Sequence, residues 1–270
     1  MPPLFELRDV FFSYDGIAAL QGLSLTIAQG ERVALLGANG SGKSTLLRML
    51  DALCFAERGS VLFDGAELTA EPFQRDEFAL AFRRRVALVF QNPDVQLFNP
   101  TVFDEVAFAP LQLQWPKEKI LQKVDAALAL MGIEGLRDRP PYRLSGGEKK
   151  RVALASVLVL DPEVLLLDEP TATLDPRSQS HIIDLIQQWK GTAKTVITAT
   201  HQLEIVEDIA DRAFVLQGGK VAASGSAAEV LGNHELLLLA NLVHAHRHAH
   251  GKLVHSHPHI HSHAKHEHEL

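Results

Sequence analysis

The 270-residue chain has a single cysteine, Cys54. One thiol cannot close an internal disulfide, so no disulfide framework holds this fold, and a reducing, cytosolic setting fits. Cys54 is read as a small buried hydrophobe. Long apolar runs are also missing. Nothing approaches the roughly 20 residues a membrane-spanning helix needs. The longest runs, Val152–Leu160 and Val164–Leu167, suit buried elements. The opening stretch MPPLFELRDVFFSYDG lacks a basic start followed by an apolar core, so it does not read as a secretory signal. There is no basic excess either. The formal charge is −7, and nucleic acid is not an expected partner. Any work at a membrane would go through a partner protein.

What the chain does have is a hydrophobic content of 46%, enough for one large domain with a real core. Leu4–Phe12 and Leu23–Ile27 read as strands without a helix between them, which predicts an antiparallel appendage. Short apolar runs follow at Arg32–Leu36, Val86–Phe90, Val164–Leu167 and Thr195–Thr200, the pattern of parallel strands buried on both faces. Helical patterns lie over Ser44–Leu53, Thr101–Ala109, Lys117–Met131, Gly146–Leu160, Ser178–Lys190 and Leu203–Ala210. The alternation predicts an α/β fold with a mostly parallel core sheet, an antiparallel β subdomain, and an inserted helical subdomain over about residues 92–155. Residues 1–230 form the main unit and 231–243 a terminal helix or linker. From 244 to 270 the pattern dissolves into a His-rich tail, read as disordered without a ligand.

GANGSGKS matches the P-loop pattern, and its flanks stand in the required order of apolar strand, loop and helix. Gly37, Ala38, Asn39, Gly40, Ser41 and Gly42 would turn backbone N–H groups around phosphate oxygens. The helix that follows, opening with Ser44 and Thr45, would point its positive end at the same anion. Lys43 would reach the β- and γ-phosphates, and Ser44 would ligate Mg²⁺. VLLLDE supplies the other half: a buried strand delivers Asp168 to hold Mg²⁺ and Glu169 to polarise the attacking water.

LSGGEKKRV, Leu144–Val152, resembles the signature sequence of ATP-binding-cassette (ABC) ATPases, and like theirs it stands shortly before the acidic strand. Ser145, Gly146 and Gly147 open a helix with uncovered amides, a second anion site. The resemblance implies that two subunits pack head to tail, each signature closing on the nucleotide held by the other P-loop. Position 148 is Glu where many members have Gln. Four further positions match the family in order. Gln91 resembles the Q-loop glutamine that senses Mg²⁺ and the lytic water. Asp175 resembles the D-loop aspartate at the dimer seam. His201 resembles the switch histidine on the γ-phosphate, and Tyr14 the aromatic that stacks on adenine. The implied catalytic set is Glu169, His201, Lys43 and Gln91, with Mg²⁺ held by Ser44, Gln91 and Asp168. The resemblance covers about residues 3–230.

FQNPDVQLFNPTVFDEVAFAP, Phe90–Pro110, is similar to the Q-loop region of the ATPases of energy-coupling-factor (ECF) importers of vitamins and transition metals. That likeness implies a groove for coupling helices of a transmembrane partner, with Leu97, Phe98 and Phe103 as candidate lining residues. It also implies a substrate-binding membrane component, a homodimer or heterodimer of ATPase subunits, and a peripheral place on the cytoplasmic face of the membrane. The tail bears on cargo. Eleven of the fourteen histidines lie from His244 onward, interleaved with other residues. His244, His246, His248, His250, His255, His257, His259, His261 and His263 could wrap Ni²⁺, Co²⁺ or Zn²⁺ through neutral imidazoles. Thiols and fixed spacing are absent, so a closed structural zinc site is not expected. The combination favours nickel or cobalt import, with vitamin uptake as the alternative. A soluble cassette acting on DNA or ribosomes fits less well, since tandem cassettes and a long coiled-coil insertion are both missing.

Overall fold

The computed structural model describes residues 3–172, 174–250 and 253–259, with only the backbone from 244 onward. Strands β1 (Phe5–Tyr14) and β2 (Ile17–Ile27) pair antiparallel through the two-residue turn Asp15-Gly16, whose φ values of 48° and 82° suit the right-handed twist of a hairpin. The sequence reading starts this second strand only at Leu23. The tight turn lets pairing begin six residues earlier, with Tyr14 opposite Ile17. After β3 (Arg32–Leu36), strands β4 (Arg58–Phe63) and β5 (Ala66–Glu67) complete an antiparallel sheet in the order β2-β1-β4-β5.

The second sheet adds β6 (Val86–Val89), β7 (Val164–Asp168), β8 (Thr195–Thr200), β9 (Arg212–Gln217) and β10 (Lys220–Ser226) in the order β10-β9-β3-β8-β7-β6. All its pairings are parallel except β9 with β10. Its five parallel strands are buried on both faces, while β10 at the edge alternates exposed and half-buried residues. Ala34 and Leu36 of β3, with Leu165 and Leu167 of β7, point to one core. Val33, Leu35, Val164 and Leu166 point to the other, shared with the antiparallel sheet.

Helix α1 (Lys43–Leu50) joins the second core, burying Leu46, Leu47, Met49 and Leu50. Helix α2 (Asp76–Arg85) precedes β6. Helices α3 (Val102–Gln112), α4 (Lys117–Leu130) and α5 (Gly146–Leu158) pack together between β6 and β7 as the helical insertion. Helix α6 (Pro176–Gln188) and the short α7 (Val206–Ile209), α8 (Ala227–Gly232) and α9 (His234–Leu239) complete the first core. Arg32, at the root of β3, is 1% exposed; it forks onto Asp211 at 2.7 and 3.1 Å and also donates to the Asp208 carbonyl. Cys54, four residues past the end of α1, is half-buried rather than buried. Among the described residues no helix is long and apolar enough to cross a membrane. Past the folded unit, the backbone of β11 (His244–His250) runs antiparallel to β12 (Leu253–His259), where the sequence reading expects an unstructured tail. Strict alternation is also the pattern of a strand.

Candidate functional site

The cleft is built where β3 stops. Gly37 and Gly42 sit at φ 155° and 106°, and a Cβ on either would meet backbone carbonyls, Leu216 at 2.5 Å and Ala19 at 2.8 Å. No side chain caps α1, so its first amides face the cleft as anion donors. Lys43 is buried, and its ammonium donates to the carbonyls of Gly37 (2.6 Å) and Ala38 (3.2 Å). Burial lowers its pKa, against the opposing pull of Glu169 and Asp168. The Ser41 hydroxyl is buried without a partner.

The facing wall is the C-terminal end of β7. Burial raises the pKa of Asp168, the Ser44 hydroxyl opposes that by hydrogen bonding to it, and neighbouring Glu169 adds to the rise. Asp168 Oδ1 is buried with no hydrogen-bond partner. An orphaned carboxylate oxygen beside a hydroxyl and a phosphate-binding loop is the donor set a hard divalent cation takes, so these residues fit Mg²⁺. Glu169 follows in a left-handed conformation, φ 45°, with its side chain buried and its N–H donating to the Ala199 carbonyl of β8. Its Oε1 lies 2.8 Å from Nδ1 of His201, and its Oε2 accepts from Thr200 at 3.3 Å. An ionised carboxylate only accepts, so His201 donates from Nδ1.

Gln91 enters the cleft from the end of β6, and Tyr14 stands at its rim, 41% exposed. Tyr14 meets Phe12 edge-on at 4.9 Å, and its hydroxyl accepts from Arg48. The open cleft of ≈ 510 Å³ thus brings together Tyr14, the loop from Asn39 to Thr45, Gln91, Asp168, Glu169 and His201. Gly37 and Ala38 contribute through the carbonyls that hold Lys43.

Ser145, Gly146, Gly147 and Asp175 do not line this cleft. Ser145 caps α5 in a capping box: its hydroxyl accepts from the Glu148 N–H at 3.3 Å, while Glu148 Oε2 accepts from the Ser145 N–H at 2.8 Å. That is a physical reason for Glu at position 148, whose carboxyl these bonds hold below the usual range. Asp175 caps α6 through Ser178. A Cβ on Gly147 would stand 3.1 Å from Ser178 Oγ, so the two helix starts pack side by side.

Sequence reasoning missed three things. Lys150, in the signature stretch, is 3% exposed and donates to the carbonyls of Phe90 and Gln91; burial pushes its pKa down to about 8. Gln96 ties the same segment to α5. The apolar groove is lined by Leu80, Arg83, Arg84, Phe108, Leu113 and Leu160. Of the expected lining residues, Phe98 is 67% exposed and meets Phe108 edge-on at 5.0 Å. Leu97 and Phe103 instead pack on the first core, with Arg137 over the Phe103 ring. Buried Glu105 accepts from the N–H groups of Phe98 and Asn99, and this shapes the loop that carries Phe98. Among the described residues no group of three or more His, Cys, Asp or Glu could cage a metal ion. The tail imidazoles assigned to Ni²⁺, Co²⁺ or Zn²⁺, His261 and His263 included, lie outside the described side chains.

Residues 20–172 match the family model described as ABC transporter. The chain is 57% identical over 246 residues to the nickel import ATP-binding protein NikO of Rhodobacter capsulatus, spanning 90% of this chain and 97% of that one. It is 43% identical over 241 residues to the energy-coupling factor transporter ATP-binding protein EcfA of Methanocaldococcus jannaschii, spanning 88% and 85%. Among solved structures it is similar to cbiO1 from Clostridium perfringens, part of the ABC transporter complex cbiONQ. The TM-score is 0.75 at 38% identity, over 90% of this chain and 96% of that one.

Proposed function

Because this chain belongs to the ABC transporter ATPases, we propose that it is the ATP-hydrolysing subunit of an ECF-type importer whose cargo is nickel or cobalt. The observation that carries the reading is near-full-length similarity, at 57% identity, to a protein named for nickel import. The His-rich tail supports the same cargo.

The chemistry follows from the cleft. Amides of the loop and of α1, with Lys43, bind the β- and γ-phosphates. Ser44, Asp168 and Gln91 would hold Mg²⁺, which when bound would neutralise phosphate charge. Glu169 takes a proton from water as the water oxygen bonds to the γ-phosphorus and the bond to the ADP oxygen breaks. His201, oriented by Glu169, keeps the γ-phosphate in line. Positioning and electrostatics supply most of the acceleration. Tyr14 stacks on adenine.

The Ser145 N–H is taken up by Glu148 in the capping box, which leaves the amides of Gly146 and Gly147 for an anion, and these residues lie outside the cleft of their own chain. They serve the nucleotide of a second subunit, with Asp175 beside them at the seam. One chain carries every motif, so a homodimer would have two competent sites. The groove beside exposed Phe98 and Phe108 takes the transmembrane coupling component, which works with a substrate-binding membrane component. The subunit sits peripherally on the cytoplasmic face of the membrane.

The test is uptake into vesicles carrying the complex. ATP-driven accumulation of radioactive Ni²⁺ or Co²⁺, lost with Lys43→Ala, is expected. ATP-driven uptake of a vitamin with no metal uptake would overturn the cargo.

A further inference from the structure

The segment after β6 is fastened to the signature helix α5 at three points. Lys149 pairs with Asp94 at 2.7 Å, but Asp94 is 62% exposed and such a pair contributes little. Gln96 accepts from the Phe90 N–H at 3.3 Å and donates to the Ala153 carbonyl at 2.9 Å and the Ser156 hydroxyl at 3.2 Å. Lys150 is the inner fastening. Its ammonium, shielded from solvent, bonds the Phe90 carbonyl at 2.8 Å and the Gln91 carbonyl at 3.2 Å.

Two features set Lys150 apart from an ordinary packing residue. First, an aliphatic side chain would bridge α5 and β6 without the cost of desolvating a charge. Second, both partners are main-chain atoms at the point where Gln91 enters the cleft beside Asp168 and Glu169. Lys150 itself is buried, so losing both carbonyls would leave its ammonium in the interior without a partner, and this cost ties the two carbonyls to α5. The fields of Asp168 and Glu169 also reach Lys150 and favour its charged form.

We propose that Lys150 is a positioning residue for ATP hydrolysis, holding the Phe90 and Gln91 carbonyls to the signature helix and so fixing where the Gln91 side chain stands relative to Asp168 and Glu169. A shift of α5, whose start faces the second subunit, then carries Gln91 with it. The inference rests on the reading of Gln91 as part of the hydrolytic site.

The experiment uses the purified full-length chain and Lys150→Met, Lys150→Arg, Gln96→Leu and Gln91→Ala. Phosphate release is followed over ATP and Mg²⁺ concentrations, nucleotide binding by a fluorescent ATP analogue, and folding by thermal melts. Lys150→Met should bind nucleotide within about threefold of the parent and lose on the order of 10- to 100-fold in kcat, the size of a misplaced catalytic group. Its half-maximal Mg²⁺ concentration should rise. Lys150→Arg, which keeps charge and donors, should recover most of the rate. Gln96→Leu should shift kcat and Mg²⁺ dependence the same way, and decides the matter if Lys150→Met does not fold. Parental kcat and Mg²⁺ dependence in Lys150→Met, or losses that only track unfolded protein, would overturn the proposal. Impaired Gln91→Ala beside unimpaired Lys150→Met overturns this proposal alone. Unimpaired Gln91→Ala overturns the reading of Gln91, and this proposal with it.

Discussion

Glu169→Gln separates shape from basicity at the centre of the cleft. The amide has the outline of the carboxylate and can still bond His201 Nδ1, now at 2.8 Å, and Thr200. The backbone at φ 45° is equally strained in both. Folding, nucleotide binding and the Lys43 contacts should therefore persist. What is lost is a group that can take the proton of water. General-base catalysis contributes about 10²–10⁴ in rate, or about 2.7–5.4 kcal/mol of barrier at about 1.36 kcal/mol per tenfold. Steady-state phosphate release should fall by that factor, while fluorescent-nucleotide titration gives an affinity close to the parent's. Because hydrolysis is what reopens the proposed dimer, ATP should hold the variant dimeric in light scattering. Turnover within about threefold of the parent would remove Glu169 from the role of base. If His201→Ala alone abolished turnover, the base would be the histidine.

Two further outcomes are expected. Asp211→Asn leaves the Arg32 guanidinium buried without its carboxylate. The cost should be about 2–3 kcal/mol, below the figure of about 3–5 for a fully buried pair because Asp211 is half exposed, and should lower the melting temperature by about 4–12 °C. The Arg32 bonds hold the Asp211 carboxyl below the usual range, so its contribution is complete above the unfolded pKa and is lost as pH falls through the lowered value. Melting curves of parent and variant should accordingly converge as pH falls; a gap that did not narrow in acid would contradict the ion pair as its source. Deleting residues from His244 onward should leave Mg-ATP turnover intact and reduce Ni²⁺ or Co²⁺ binding in calorimetry. Equal metal binding by the shortened chain would end the tail's part in cargo handling.

Much of the core sheet was legible because β3, β6, β7 and β8 are covered on both faces, and burial leaves a continuous apolar run in the sequence. Helix α2 left no such trace: DEFALAFRRR buries only Ala79 and Phe82. The phosphate loop and acidic strand end were legible because their chemistry needs particular residue types at fixed spacing. Lys150 was not, since a lysine between Lys149 and Arg151 reads as surface until α5 is seen to turn it inward. Leu97 and Phe103 show the limit of composition. An apolar residue in a helical insertion reads the same whether it meets its own core or an outside partner, and only packing separates these two from Phe98 and Phe108.

The left-handed backbone at Glu169 places two selective pressures on one residue. Asn or Gly would sit there more comfortably, by about 1–2 kcal/mol of backbone strain. Neither carries the carboxylate that here reaches from that turn to His201. Drift towards comfort would yield a subunit that is sturdier and silent. In the proposed dimer such a variant would still occupy a place beside an active subunit, so a single change would act as a poison rather than as a simple loss.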